Sequence, residues 1–525
     1  MRVEALAVVL LVGCGDDGGG DGQESGTTGP SEATSTASDD STSDETPAST
    51  GSVDATDGTT AAMGDTSGDD DDDDDDDGSS DGTSTGESVE MPVGASGAFR
   101  QASLDSFTIY DTAAHPDGGV VIAGTLMLPG DNREATLAHI DDAGEVVWAR
   151  RTNTPTNEQF FSVIVDGTTV YGVGLTRRDG GLGNNNETLI STFELDGTYG
   201  GSTIIGDAGS EEHAWDAIAL SGGGIAIAGY TDQTGYGDRD GMLLVLDASL
   251  QPQWSVGLGG PGRDQLYSVV EDDDGGLLVV GDVGLAGESS NSLIAKYNAG
   301  GALVFSAAFG AGGADVMRGV APLSDGRYLV AGETSSWGAG SADGYVGVFD
   351  PSADPMVTIS TLGGPGYDVL RELLPLDDGR FVVAGQAGGD GEDVWLARLD
   401  PEGGSAAEIF VDWQHVYEAP RNQRMVTGAA AIRADGGIAA AFHDLEAGGA
   451  DTTNEAGVLY TDSLGGIDSA CPEPSTDSFA VQPVDVGMPD TTLDIGNVSL
   501  TVTALAPDAE PAVDADLGNS LGLCR

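Results

Sequence analysis

Side chains able to do chemistry are few in this chain of 525 residues, and they are scattered. The five histidines, His115, His139, His213, His415 and His443, never fall at the spacing of metal ligands. Gly257-Leu258-Gly259-Gly260-Pro261-Gly262 has the spacing of a dinucleotide-binding loop. That loop must open a helix whose first amides hold a pyrophosphate, and here residues 266–270 read as a strand. Gly518-Asn519-Ser520-Leu521-Gly522 has the spacing of a hydrolase nucleophile elbow, but at the chain end and without a strand-to-helix setting. Asp272-Asp273-Asp274-Gly275 and Asp238-Arg239-Asp240-Gly241 look like pieces of calcium loops, yet neither alternates oxygen ligands up to a closing Glu. Solvated turns are the plain reading of both, with calcium as the alternative. No catalytic residue, no metal ligand and no other cofactor is expected.

Cys14 is the exception. Arg2 supplies a positive start, residues 5–12 are apolar, and Leu11-Val12-Gly13-Cys14 follows. This resembles a bacterial lipoprotein signal, in which the cysteine after small residues is acylated upon cleavage. Eight apolar residues are too few to span a bilayer, which needs about 20. The expected address is the bacterial cell envelope, lipid-anchored at the outer membrane or cell surface. Two further cysteines, Cys471 and Cys524, have no other Cys or His near them, and in an exported chain they are expected to form a disulfide securing the C-terminal tail.

The net charge is −69, with only 19 Lys and Arg, and Lys296 is the sole lysine. Such a surface repels nucleic acid and anionic lipid, so neither is an expected partner beyond the lipid anchor itself. Residues 15–90 hold 24 acidic residues, nine of them the run Asp69 to Asp77, and no Lys or Arg. This Ser/Thr/Gly/Asp-rich stretch lacks the apolar surface needed to offset ordering entropy and is expected to be a disordered tether.

From about residue 98 the texture becomes short apolar runs punctuated by glycine. Turns at Gly118, Gly167, Gly223, Gly275, Gly326, Gly379 and Gly436 each lead, seven or so residues later, to a closing position at 124, 174, 229, 281, 332, 385 or 442. A repeat of about 50 residues with four short strands is the signature of a propeller blade. In repeat four the strands read as 266–270, 277–280, 292–297 and 302–309. The turn glycines are expected to be structural, accepting positive φ. Small residues at the closing positions are expected to let neighbouring blades approach closely, and Trp148, Trp254, Phe305 and Phe410 to fill the space between blades.

Gly-Gly-x-Gly-x-Asp at 259–264 and 363–368, followed by strand, Asp-Gly turn, strand and Ala-Gly or Val-Gly, resembles the bacterial β-propeller repeat family, found in exported and lipid-anchored proteins. Residues 246–254 are also similar to repeats of quinoprotein-like propellers, including an outer-membrane assembly lipoprotein of that fold. Repeat two lacks the Gly-rich opening, and repeat seven lacks both the opening and the closing glycine, which is Phe442.

The expected fold is all-β: one propeller of seven four-stranded blades over 91–470, behind a signal peptide (1–14) and the acidic tether (15–90), with a β appendage at 471–525. Residues 98–103 are expected to supply the fourth strand of the last blade. The expected function is non-catalytic binding or scaffolding of an envelope protein or polysaccharide by a monomer. The alternative is a propeller enzyme, quinoprotein-type or polysaccharide-active, with its site in the central channel. Carboxylate, His and Arg side chains in that channel would favour the enzyme, and Gly, Ala and Ser the scaffold. The address has its own test: Cys14→Ser should abolish incorporation of a labelled fatty acid and release the protein from membranes. Undiminished labelling would refute it.

Overall fold

Glycine turns spaced about 50 residues apart leave room for four strands per repeat, and the chain forms them. In the computed structural model the described residues run from 97 to 467, apart from short stretches mostly within connections, and continue as five short strands between 482 and 522. Cys14, the acidic tether, Cys471 and Cys524 lie outside the described residues. Seven antiparallel sheets form a propeller ring: blade one spans 106–151, blade two 158–206, blade three 212–259, blade four 265–309, blade five 315–362, blade six 369–417 and blade seven 422–461. Within a blade the strands run from the channel outward in chain order. Blade four is Gln265–Glu271, Leu277–Gly284, Ser290–Tyr297 and Leu303–Phe309.

This order puts the tight turns, inner to second strand and third to outer, on one face of the ring. The longer connections lie on the other. Gly118, Gly167, Gly223, Gly275, Gly326, Gly379 and Gly436 all sit in these turns at φ between +59° and +104°, a region that costs any side-chain-bearing residue about 1–3 kcal/mol. The second and third strands are covered on both faces by neighbouring blades, as Leu278, Val279, Leu293 and Ile294 show by their complete burial. Strands buried on both faces are continuously apolar rather than alternating, which is how these read in the sequence.

Ring closure falls to blade seven. Its outer strand is Gly97–Gln101, which pairs antiparallel with Glu455–Thr461 in the register Gly97 to Tyr460 and Gln101 to Ala456. The first described strand thus completes the last blade, and no sheet edge is left where the ring begins or ends. Three side chains of blade seven fix it to blade one. His443 Nε2 lies 3.1 Å from the Ile109 amide and 3.0 Å from its carbonyl, Tyr460 donates to the Ile140 carbonyl at 3.1 Å, and the Arg433 guanidinium pairs with Asp142 at 2.8 Å. Burial pushes His443 down to about 4, so it enters this interface uncharged at neutral pH.

Trp148 and Trp254 do pack against the next blade, each lying over a positive-φ turn glycine, Gly197 or Gly301, where a Cβ would press into the indole. Phe305 packs on Phe349 of blade five. Phe410 departs from the expectation and is 54% exposed. Its place is taken by Trp413, which lies against Gly465 and pairs with Arg398 just before the register shift of its hairpin, as Trp148, Trp254 and Phe305 do in theirs; the connection to the outer strand is longer in blade six, so this position falls three residues after Phe410.

The C-terminal strands do not assemble into a sheet of their own. Gln482–Val484, Asp494–Asn497, Thr501–Ala504, Val513–Asp514 and Ser520–Gly522 each add antiparallel to the outer strand of a blade: five, three, two, one and seven, in that order.

Deleting residues 91–104 should lower the melting temperature of the whole ring far more than deleting 15–90, which removes none of the paired strands. Thermal melting of both truncations checks this, and equal midpoints would rule out closure by the N-terminal strand.

Candidate functional site

Every blade from one to six carries a register break at the same place in its inner strand. Between Ile109 and Asp111, Phe160 and Ser162, Ala214 and Asp216, Leu266 and Ser268, Met317 and Gly319, and Leu370 and Glu372, one residue has no partner on the second strand. These are β-bulges, and a bulge redirects a side chain. The closing glycine of the repeat stands directly across from each one. At Gly124, Gly174, Gly229, Gly281, Gly332 and Gly385 a Cβ would overlap the carbonyl oxygen of the bulged strand. The close approach these glycines permit is therefore within a blade, not between blades as the repeat pattern suggested. Blade seven has Phe442 at this position, and its inner strand is broken into Asn422–Arg424 and Ala430–Ile432.

The six bulged residues, Tyr110, Phe161, Trp215, Tyr267, Arg318 and Arg371, line one cavity of about 40 Å³ in the central channel. That is room for roughly three waters. Blades one to four supply an arc of rings: Tyr110 and Phe161 have centroids 4.7 Å apart, Phe161 and Trp215 4.9 Å, and Trp215 and Tyr267 6.0 Å. Buried His213 backs the arc, 4.1 Å from Trp215, and burial pushes it down to about 3, so it is neutral. The Arg318 guanidinium continues the arc, 3.9 Å above the Tyr267 ring, a cation–π contact worth about 1–2 kcal/mol.

Both arginines converge on Glu333. Arg318 donates to it from Nη2 at 2.6 Å and Arg371 from Nη1 at 3.0 Å, while the Tyr367 hydroxyl donates at 3.2 Å. Burial alone would raise Glu333, but the two guanidiniums overcome it and hold the carboxyl below its ordinary value. Nε of buried Arg371 has no hydrogen-bond partner among the described residues.

The residue after each bulge is the second layer of the site. Asp111 accepts from the Val163 amide of blade two at 2.8 Å, Ser162 from the Ala217 amide of blade three at 3.2 Å, and Asp216 from the Val269 amide of blade four at 2.9 Å. Each is a latch from one inner strand to the next. At the equivalent place in blade five, a Cβ on Gly319 would press on Leu373 of blade six. Burial and then the Asp216 charge push Asp111 well up, and burial and then Asp111 and Asp216 do the same to Glu372. Three carboxyls with raised values therefore face one small cavity.

The Gly-Gly-x-Gly-x-Asp segments do a different job. Asp264 accepts from the Gly260 and Gly284 amides, both at 2.7 Å, and Asp368 from Gly364 and Gly388, both at 2.8 Å. Each acid clasps the connection between blades to the second strand of its own blade. Burial pushes Asp264 up to about 7 despite those amides. Repeat two, which lacks the glycines, uses Glu158, which accepts from Thr156 at 2.6 Å and Thr176 at 3.1 Å. In repeat three Glu212 accepts from Ser210 at 2.7 Å. In blade five the clasp acid is Asp315, which accepts from the Ala311 amide at 2.9 Å; in blades two to six the bulged residue lies three positions after the clasp acid, at 161, 215, 267, 318 and 371. That offset is the signal the sequence reading missed.

The other sequence-selected residues lie elsewhere. In the Asp272–Gly275 turn, the Lys296 ammonium pairs with Asp272 at 2.6 Å and Asp274 at 2.8 Å, giving these carboxylates a cation from the chain itself. His115 and His139 stack at 3.7 Å beside the turns of blade one. Among the described residues, no cluster of His, Cys, Asp and Glu has the geometry to hold a metal ion.

No protein-family model and no curated protein matches the chain. The resemblance to the bacterial β-propeller repeat family is thus not supported by any matching family model. Among solved structures, the chain is similar to the β-propeller domain of the Trilobed protease from Pyrococcus furiosus, at 12% identity and TM-score 0.39 over 69% of this chain and 96% of that one. It is also similar to a puromycin hydrolase variant, at 14% identity and TM-score 0.41 over 71% of this chain and 54% of that one, so it spans about half that protein. Sqt1 from Chaetomium thermophilum is similar at 13% identity and TM-score 0.37, over 69% and 98%. The fold itself rests on the strand pairing.

Glu372 gives the site a pH signature. Its folded value lies well above the ordinary 4.5, so its stabilising contribution is complete below that value and is lost as pH rises through the folded one. Glu372→Gln should therefore show a smaller fall in melting temperature than the parent between about pH 4.5 and pH 8. Identical falls would mean that this carboxyl is solvated.

Proposed function

We propose that the protein is a lipid-anchored binding module of the bacterial cell envelope, whose propeller captures an envelope protein or polysaccharide at the central channel. The observation that carries this reading is the ring of six bulges, which gathers four aromatic faces and two arginines around one opening. Flat rings accept the faces of sugars or apolar side chains. The unpartnered Nε of Arg371 offers a buried donor to an acceptor oxygen of the ligand, and a buried donor left unpaired costs about 1–3 kcal/mol. Asp111, Ser162 and Asp216 are already engaged with backbone amides, and Glu333 with both arginines, which suits a preformed rigid site. The acylated Cys14 and the acidic tether would hold this site away from the membrane.

One observation favours the enzyme as a second reading. Asp111, Asp216 and Glu372, with raised values, face the same cavity as two arginines, and carboxylates together with arginines are what an active channel would need.

The mature protein, Trp215→Ala with Arg371→Ala, and Trp254→Ala should be compared as baits on detergent-solubilised membranes and on purified envelope polysaccharide. Capture should be lost in the channel variant and kept in Trp254→Ala, whose indole lies outside the channel. Equal capture by all three would place recognition elsewhere. Shortening of the captured polysaccharide by the parent but not by Glu372→Gln would decide for the enzyme.

A further inference from the structure

The channel has donors left over once its internal pairs are made. One oxygen of Glu333 takes Arg318 Nε at 3.1 Å, Arg318 Nη2 at 2.6 Å and Arg371 Nη1 at 3.0 Å, and the other takes the Tyr367 hydroxyl. Among the described residues, Nη1 of Arg318 and Nε of Arg371 are then without a protein acceptor. The Arg371 side chain is only 7% exposed and lines the cavity. A buried donor of this kind calls for an acceptor. The charge points the same way, since two guanidiniums face one carboxylate and a positive charge is in surplus. The next acid, Asp282, stands beside Tyr267, and burial pushes it up, away from its ionised form. An anion is the complement of such a group.

Size narrows the anion. The cavity of about 40 Å³ holds roughly three waters, which matches the three heavy atoms of a carboxylate and excludes the five of sulfate or phosphate. The remaining wall admits it. Burial pushes Asp111, Asp216 and Glu372 up, and neighbouring carboxyls push Asp111 and Glu372 further. In the neutral form a carboxyl donates a hydrogen bond to an anion, where an ionised one would repel it.

Taking the channel as the binding site, which rests on the function proposed above, we propose that this cavity receives one carboxylate group, carried by a sugar acid within a sparsely charged envelope polysaccharide. A sugar ring is too large for the cavity, so it stays against the partly exposed rings of Tyr110 and Trp215 while its carboxylate reaches the arginines. A sugar acid combines a flat apolar face with a carboxylate in one residue, and an acidic side chain of a protein has no such face. The charge of −69 repels polyanions, which selects a chain with few carboxylates among neutral sugars.

Titration calorimetry of the full-length protein at constant ionic strength tests this, with sodium glucuronate, glucose, sodium acetate, acetamide, sodium sulfate and N-acetylglutamate as probes. Glucuronate should bind best, and glucose and acetamide at least about tenfold more weakly than glucuronate and acetate respectively. Acetate as tight as glucuronate would replace the sugar acid by a free small carboxylate. Sulfate as tight as glucuronate would overturn the carboxylate, and tighter N-acetylglutamate would overturn the sugar in favour of an acidic protein. Arg371→Lys keeps a cation beside Glu333 and removes Nε, so it should lose about tenfold in glucuronate affinity with the fold retained. Undiminished binding would overturn the site. Glucuronate affinity should also fall between about pH 5 and pH 8 as Glu372 ionises beside Asp111 and Asp216, and fall less in Glu372→Gln. Equal falls would place the anion away from Glu372. Failure of every carboxylate probe, with envelope capture still lost in the Trp215→Ala, Arg371→Ala variant, would overturn this inference and leave the channel as the binding site. Glucuronate binding with capture unchanged in that variant would keep the carboxylate pocket and overturn its polysaccharide.

Discussion

A glycine across from a bulge is the constraint on which this propeller depends. A bulged inner strand brings its carbonyl to the point where a Cβ of the second strand would stand, so the two can coexist only if that Cβ is missing. The repeat's closing glycine is thus the condition for turning one side chain per blade into the channel. Blade seven shows the converse: with Phe442 in place of glycine, its inner strand breaks in two. The same backbone feature shapes the ring and furnishes the site.

The second organising element is the buried acid. A buried carboxylate is costly unless it is hydrogen-bonded, and the acids at the blade openings are given donors. The clasp acids Asp264 and Asp368 take backbone amides, and Glu158 and Glu212 take hydroxyls. The scarce cations stand where two blades meet: Lys296 between turn carboxylates and Tyr328 of the next blade, Arg433 across the closing interface, and Arg318 and Arg371 on Glu333. Removing Arg318 and Arg371 together would leave the buried Glu333 carboxylate without either guanidinium, which costs more than the pair itself was favourable.

Much of the architecture was legible because it is periodic. The glycine turns carry positive φ in every blade, and their spacing alone gives the number of blades. The strand at Gly97–Gln101 was legible from register, one strand too many ahead of repeat one. The site was not, because its residues share no chemistry: Tyr110, Phe161 and Trp215 sit where Arg318 and Arg371 do, and only an offset from the clasp acid relates them. Phe410 misled because the connection from the third to the outer strand is longer in blade six, which moves the position equivalent to Trp254 on to Trp413. Which blade each of the five C-terminal strands joins was illegible in principle, because that is a matter of chain reach around a closed body.

Closing the ring with its first strand also dictates an order of assembly. Phe99 and Val458 are about 360 residues apart in the chain, and the ladder between them is among the least local contacts in the molecule. Six blades can stack as they emerge, each on its predecessor, but the seventh lacks its outer strand until the oldest part of the chain returns to it. Contacts of such sequence separation form late and slow the final step. During that interval Gly97–Gln101 is an unclaimed strand, the kind of segment that recruits another molecule. Residues 15–90 ahead of it carry two dozen negative charges and no positive ones. Like charges flanking an exposed strand act as gatekeepers against pairing between chains, so an acidic run ahead of the closing strand also guards the ring's formation.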